Sequence, residues 1–561
     1  MFKRNWKIIT LVVLGAVFFV VYLYLYLPTA SKYPDYLILN QPDESINYFF
    51  IRELALNNRL GLPEPLSGIT ASQVHPRSTT VVNGAIVPIG FPGVIVIFGL
   101  ITKLLMKIFG IGNFNLLTAA LTPFLAALTP LFFYGFLRRI WDEHGAWFSA
   151  VLLFFLPSWW YYASRPFQHN TLLVFLIIVG LYCYIVSFAK FKKIWFGFLF
   201  GLCFGLAIYV RPSEIVWLAA LGASELIAAR KVWSWREYFA CGVGLVLTAI
   251  LFFTTQTTFY GSAFASGYVR PTIDGVGGII TAGPQGIGLI KAIFLPFGLH
   301  FGAMARNFYA YFFSLFGVWS VLAIAGLGIS VWFLLCHPRE NRDPVDDLEG
   351  KFAGFPIKSG MTYAVLFLLV SIYLLFFYGS WQFFDNLLRA PSIGTSYVRY
   401  FLPIYVFGLP FLSFFLLWLW MLQRKIIFKI ATAVLFLALI TNSFGAVFAP
   451  LEGLSSVKMT VAEYGEWQKK IYALTEDNAI IVTRYADKYL FPGRKIIPGW
   501  EMTEQKNAII VLARQGRPIY LYDLKLTEKE DAALAEFLSG KNLKLSAPLA
   551  DWENIELKKI E

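Results

Sequence analysis

Two adjacent carboxylates, Asp43 and Glu44, follow the first long apolar run of the chain in the stretch LNQPDESINYFF. An aspartate at the edge of an apolar environment can take the proton of an attacking hydroxyl, because surroundings that exclude water favour transfer to the nearest base. A plainer role is also open. Ile46, Phe49, Phe50 and Leu54 recur at helical spacing, and an aspartate before such a run reads as an N-cap, with a neighbouring glutamate complementing the helix dipole. Near the ends of later apolar runs stand Arg165, Arg211, Arg270, Arg389 and Arg399. Their planar guanidinium forks suit a phosphate, and their alternative task is snorkelling to lipid headgroups. His75, in VHPRSTTVVNG, either lines a site with Arg77 or belongs to a solvated loop, and His169 either hydrogen-bonds a substrate or packs.

Positioning these groups falls to a chain of 561 residues that is 58% hydrophobic, 18% aromatic and 14% charged, with a mean hydropathy of +0.62. That composition excludes a soluble globular domain and identifies a membrane protein. The net charge of +13 resides in short loops between apolar runs, which speaks for anionic lipid and against nucleic acid. Cys183, Cys203, Cys241 and Cys336 show no CxxC spacing and imply neither a disulfide framework nor a metal site.

Spans are expected over 8–27, 114–138, 146–163, 167–189, 195–210, 214–229, 238–256, 306–334, 361–380, 398–421 and 427–448, about eleven in all. The run after MFKRNWK has no convincing cleavage site and reads as a retained anchor with a cytoplasmic N-terminus. The turns RRIWDEH, KFKK, RKVWSWRE, HPRENRDPVDDLEGK and QRK then fall inside, as the positive-inside rule requires. A crossing by residues 84–110 would reverse all of them. With Pro88, Pro92, Lys103 and Lys107, that segment reads as re-entrant or interfacial.

This parity places the loops 28–113 and 257–305 and the tail from 449 on the outer face. We therefore expect a transmembrane domain over 1–448 and a small extracytoplasmic α/β domain over 449–561. The tail has strand-like runs, NAIIVTR, AIIVLARQ and RPIYLYD, and a helical stretch, TEKEDAALAEFLSG.

The acidic pair in a first outer loop, followed by an interface helix, resembles the GT-C superfamily of lipid-linked-sugar glycosyltransferases, in the branch of protein O-mannosyltransferases and the aminoarabinose transferase of lipid A. Further stretches support the likeness along most of the chain. RPFQHN (165–170) falls where that family has a second polar cluster, and FYGSAFASGY (259–268) is similar to its Phe-Gly-Ser-Pro…Gly-Tyr loop. GLHFGAMARNFYAYFF (298–313) resembles the stretch leading back into the membrane, and SYVRYFLP (396–403) resembles an Arg-Tyr-x-x-Pro entry into a late span.

The resemblance implies an inverting transfer of a monosaccharide from a polyprenyl-phosphate donor to an acceptor hydroxyl of a lipid, glycan or protein, at the outer face of a prokaryotic plasma membrane. It carries the catalytic role to Asp43, with Glu44 in support. Arg270, just after the GY of FYGSAFASGY, and Arg399, in the VRY of SYVRYFLP, would hold the donor phosphate, with Arg165 and Arg211 beside them. His75, His169, Asn170, Tyr268 and His300 would contact substrate. Where the family tends to place another acid, this chain has Gln168, His169 and Asn170, which leaves the acceptor and the use of a divalent cation open; no cofactor is otherwise implied.

SWWYYA (158–163) lacks the aspartate of the WWDYG signature of oligosaccharyltransferases, which disfavours en bloc transfer to asparagine. DGVGGIITAGPQGIG (274–288) has no following GK[ST] and reads as an outer loop, and DPVDDLE (343–349) reads as a solvated inner turn. Two other classes compete. A transporter or flippase would place ionisable groups near mid-membrane and often show inverted repeats, and neither is evident. A polysaccharide polymerase or ligase would share the outer arginines without needing the early acidic pair.

Overall fold

Long apolar runs must satisfy their own backbone within lipid, so they become helices. The computed structural model describes residues 2–26, 36–109, 114–188, 193–265, 267, 297–336, 357–383, 390–422, 426–552 and 554–561. Among the described residues eight helices are long and apolar enough to cross a membrane. This is a multi-pass membrane protein. The first expected span is the 21-residue helix Phe2–Tyr22, apolar over Trp6–Tyr22. Two of the expected spans take other forms. Phe301–Ser314 with Gly317–Phe333 is bent by 103° at its break. The run expected over 146–163 divides into Glu143–Phe155 and Pro157–Ala163. Pro157 has no N–H to continue the ladder and drives Leu156 to an extended ψ of 118°. Residues 84–110 also divide, between a strand and the 17-residue helix Gly93–Phe109.

The chain forms two compact units. The first comprises Met1–Leu25, Ala119–Leu251 and Ile280–Val457. Its helix Lys193–Val210 carries Gly197, Gly201 and Gly205 on one face. A Cβ at Gly201 would collide with the backbone of Cys241, and one at Gly205 with the Thr248 side chain. Glycines every fourth residue let the backbones approach where lipid supplies no hydrophobic drive between helices.

The second unit comprises Tyr26–Thr118, Phe252–Ile279 and Lys458–Glu561. It contains a three-stranded antiparallel sheet in the order β1-β3-β2, where β1 is Leu62–Pro63, β2 Thr79–Val82 and β3 Ala85–Pro88. Val82 pairs with Ala85 across a two-residue Asn83-Gly84 turn. Both turn residues have positive φ, 50° and 76°, as a hairpin turn matched to strand twist requires.

The C-terminal sheet has the order β5-β4-β6-β8-β7, with β4 (Ile480–Val482), β5 (Lys495–Ile497), β6 (Ile519–Leu524), β7 (Ala550–Trp552) and β8 (Ile555–Ile560). β4 lies parallel to β5 and β6, and β8 antiparallel to β6. AIIVLARQ is not a strand: it lies in the helix Thr503–Arg514 that connects β5 to β6. Its Ala508, Ile509 and Leu512 face the sheet core, a helical spacing that an unbroken apolar run conceals. Leu66 and Val74 pack into that same core.

Candidate functional site

Asp43 does not cap its helix. The helix Pro42–Arg52 has Gln41 at the cap position and Pro42 at its start, where a missing N–H costs nothing because that group has no helical partner. The proline therefore begins the helix two residues earlier than an aspartate cap would. The Gln41 N–H donates to Glu44 Oε2 at 3.2 Å, so the buried Glu44 is the capping carboxylate. Half-buried Asp43 instead accepts the hydroxyl of Ser78, Oγ to Oδ1, at 2.6 Å.

Ser78 reaches Asp43 from an uncommon backbone conformation. Its φ of 57° is left-handed, where a residue other than glycine meets its own Cβ. Both sides hold it there. Ile89 N–H donates to the Ser78 carbonyl at 2.9 Å from the end of the β2–β3 hairpin. On the other side, Arg77 binds Asp487 three times: backbone N–H to Oδ2 at 2.8 Å, Nε to Oδ1 at 2.9 Å and Nη2 to Oδ1 at 2.6 Å. Asp487 is 1% exposed. Its short helix, Asp487–Leu490, is tied to the Asp43 helix by Ser45 Oγ, which donates to the Lys488 carbonyl at 3.0 Å, and by the Phe49–Phe491 ring pair at 4.8 Å. His75 lies near this turn, its Nδ1 2.9 Å from the Pro76 carbonyl oxygen.

A second polar cluster lies in the first unit. Arg399 Nη1 donates to Gln168 Oε1 at 2.7 Å and Nη2 to Ser396 Oγ at 2.8 Å, while Asn170 Nδ2 donates to the Arg399 carbonyl at 2.7 Å. RPFQHN and SYVRYFLP, more than two hundred residues apart in the chain, are thus joined. Arg165 is 1% exposed and donates to the Tyr161 hydroxyl at 2.7 Å. Between these groups the buried Phe167 adopts φ 68°, a genuine outlier for so bulky a residue and of the kind that collects at functional sites.

Arg211 is committed elsewhere. Its Nε lies 3.1 Å from Glu214 Oε1 and its Nη2 donates to Tyr378 at 2.7 Å, with the Tyr400 ring 4.7 Å from its Cζ. Tyr378 donates to Glu214 Oε1 at 2.5 Å, and Trp217 Nε1 donates to Oε2 at 2.6 Å. Tyr400 in turn stacks on Tyr378 at 4.4 Å and lies 5.4 Å from Arg399 Cζ, so the Arg211 group adjoins the Arg399 cluster.

His169 is the first residue of the helix His169–Val186 and is half-buried. His300 is exposed at the cap position of Phe301–Phe308 and donates its backbone N–H to Ser380 Oγ at 3.4 Å. Tyr268, Arg270 and Arg389, together with residues 274–288 and 343–349, lie outside the described residues. Among the described residues no group of three or more His, Cys, Asp or Glu side chains could hold a metal ion.

Sequence reasoning missed Ser78, Glu214, Tyr378 and Asp487. Glu214 left a signal, an acid two residues after the proline that opens an apolar run. Ser78 left none, because its conformation depends on the hairpin.

No family model matches the sequence, and no curated protein matches it. Solved structures do match. The oligosaccharyltransferase of Archaeoglobus fulgidus in its apo form superposes with a TM-score of 0.56 at 12% identity, over 93% of this chain and 70% of that one. The same archaeal enzyme, AglB, in complex with an inhibitory peptide and a dolichol-phosphate gives 0.52 at 12% identity, over 96% and 71%. The chain has a GT-C fold. ArnT from Cupriavidus metallidurans in the apo state aligns over 100% of this chain and 98% of that one, at 14% identity with a TM-score of 0.43. Within this fold, Trp159 and Trp160 of SWWYYA are buried in the helix Pro157–Ala163.

Proposed function

We propose that the chain is an inverting glycosyltransferase that moves a monosaccharide from a polyprenyl-phosphate donor to an acceptor hydroxyl, with Asp43 as the general base. The observation that carries this reading is the 2.6 Å hydrogen bond from Ser78 to Asp43 in a helix whose cap is supplied by Glu44. The plainer role of the acidic pair is filled by one member, and the other already accepts a hydrogen bond from a hydroxyl at the distance general-base catalysis needs. The GT-C fold supports the reaction class, and AglB has been solved with a dolichol-phosphate, a lipid phosphate of the proposed donor's kind.

In such a transfer the acceptor oxygen attacks the anomeric carbon as the bond to the phosphate oxygen breaks. The acceptor proton passes to Asp43, and negative charge grows on the leaving phosphate. Arg399 and Arg165 are assigned to that charge, since guanidinium groups held in place stabilise it without reorganisation. Arg211, paired with Glu214, is assigned the positioning of Tyr400 beside Arg399. Arg270 keeps the phosphate role implied by its motif, and Tyr268, His75, His169, Asn170 and His300 the substrate contacts.

The test is single-turnover transfer by the whole protein in lipid, with a panel of polyprenyl-phosphate monosaccharides and total cell-envelope acceptor, comparing wild type with Asp43→Asn. Release of polyprenyl phosphate by wild type alone supports both reaction and base. Equal behaviour of two folded proteins removes the base assignment, and no release from any donor removes the reaction.

A further inference from the structure

The second unit contains a cavity of about 270 Å³ bounded by two sheet edges, β1 and β5. Its volume lies just below the range of roughly 300–1,000 Å³ usual for drug-sized ligands. Glu64 and Lys495 face it, as do Asp477, Asn478, Arg494 and the Phe491-Pro492 pair.

The charges in this cavity are already balanced. Lys495 Nζ donates to both oxygens of Glu64, at 2.7 and 2.5 Å. Arg494 is 5% exposed and directs its donors to Thr475 Oγ1 at 3.0 Å and to the carbonyls of Gly493, Tyr472 and Thr475 at 2.8, 3.1 and 2.9 Å. Its Nη1 also lies 3.3 Å from Asp477 Oδ1. A guanidinium has five N–H groups, so Arg494 is a wall of the cavity and no hook for an anion.

What the cavity offers is a neutral array of both signs. Lys495 has three donors and gives two to Glu64; the exposed Asn478 contributes an amide donor and acceptor, and the exposed Asp477 carboxylate an acceptor. Phe491, whose ring packs on Phe49 at 4.8 Å, supplies an aromatic wall, and aromatic carbon attracts polarised C–H bonds. Alternating donors and acceptors beside such a wall match a ring that carries hydroxyls on its rim and C–H bonds on its faces. Matched pairs of opposite charge penalise a ligand with net charge, which would find no uncompensated partner.

We propose that this cavity is a binding site for a neutral saccharide, held through Asn478 and Lys495 against the Phe491 wall. The inference goes beyond the transfer reaction and stands without it, since binding needs neither donor nor base.

The experiment uses the full chain in lipid nanodiscs and saturation-transfer NMR with glucose, mannose, galactose, N-acetylglucosamine and their disaccharides, with inorganic phosphate as competitor. Wild type, Asp43→Asn, Asn478→Ala and Asn478→Trp are compared, the last placing a bulky ring at an exposed position of the mouth. At least one sugar is expected to bind wild type and Asp43→Asn alike and to bind both Asn478 variants roughly tenfold or more weakly, with no displacement by phosphate. The proposal is overturned if no sugar binds, if both Asn478 variants bind as wild type does, if Asp43→Asn abolishes binding, or if phosphate displaces the sugar.

Discussion

Ser78 donates its hydroxyl to Asp43 at 2.6 Å from a left-handed backbone conformation, φ 57°. The hydroxyl orients the carboxylate, and the conformation is a cost that the hairpin and the Arg77 clamp sustain. Substitution separates the two. Ser78→Ala removes the hydroxyl and keeps the strained conformation; Ser78→Gly removes both. Both variants should transfer sugar more slowly than wild type, while Ser78→Gly should be more stable than Ser78→Ala by about 1 kcal/mol, the order of the left-handed penalty. Denaturation midpoints and single-turnover rates measured on the same preparations check this. Equal stability of the two would remove the strain argument.

Asp43 and Glu44 should part company on mutation. Asp43→Asn keeps size and hydrogen bonding but removes the proposed base, and should lower single-turnover transfer by about 10²–10⁴-fold, the usual worth of general-base catalysis. Glu44→Gln weakens a cap and should lower stability by about 1 kcal/mol while leaving the rate within a few-fold. If Glu44→Gln abolishes transfer and Asp43→Asn does not, the base has been assigned to the wrong carboxylate.

Arg77 and Asp487 form a clamp whose acid is buried. Removing the cation strands that carboxylate, so Arg77→Ala should destabilise the protein by about 3 kcal/mol or more. The double variant Arg77→Ala/Asp487→Asn should recover part of that stability, because the stranded charge is gone. Hydroxyl donation from Ser78 depends on the same loop, so the double variant should remain slow in transfer. A double-mutant cycle with both readouts tests the claim.

Elements were legible in the sequence wherever a single periodicity ran uninterrupted. All eight full-length spans among the described residues coincide with apolar runs, and a run that failed to form one straight helix was interrupted by Pro157, visible in the sequence but dependent on packing for its effect. β4 and β6 are readable as β-rich runs; AIIVLARQ reads equally as a strand because its six consecutive apolar residues satisfy either period. In the site, the likeness of RPFQHN and SYVRYFLP to known motifs named residues that the fold does join. The partners that decide their roles were not legible. Glu44 takes the cap because Pro42 precedes Asp43, and Ser78 meets Asp43 only because the Asn83-Gly84 turn folds the hairpin back.

Close backbone packing between Lys193–Val210 and Trp235–Tyr260 predicts a position-specific intolerance. Gly201→Val inserts a branched side chain where even a Cβ meets the Cys241 backbone, and overpacking of this kind costs typically about 1–3 kcal/mol, more where backbone must move. Gly242, whose added Cβ meets nothing within 4 Å, is the control on the facing helix. Gly201→Val should lose thermal stability in lipid and Gly242→Ala should not.

The helix Glu528–Ser539 should make the C-terminal sheet region sensitive to acid through one carboxylate. Glu530 Oε2 accepts the Thr527 N–H and hydroxyl, both at 2.8 Å, and Oε1 accepts Arg484 Nη1 at 2.8 Å. These bonds, those from Thr527 foremost, pull its pKa from 4.5 down to about 2. A carboxyl whose folded pKa lies below its unfolded value stabilises the fold fully above the unfolded value. That contribution fades as pH falls from 4.5 and is lost once pH passes about 2. Opposing it, burial raises the pKa of Asp523, whose contribution runs the other way, strengthening as the pH falls. Glu530→Gln should therefore reduce stability at neutral pH and make unfolding of this region less steeply dependent on pH between those limits. Hydrogen exchange of the β6 and Glu528–Ser539 amides across that range measures it, and an unchanged slope in Glu530→Gln would remove Glu530 as the source.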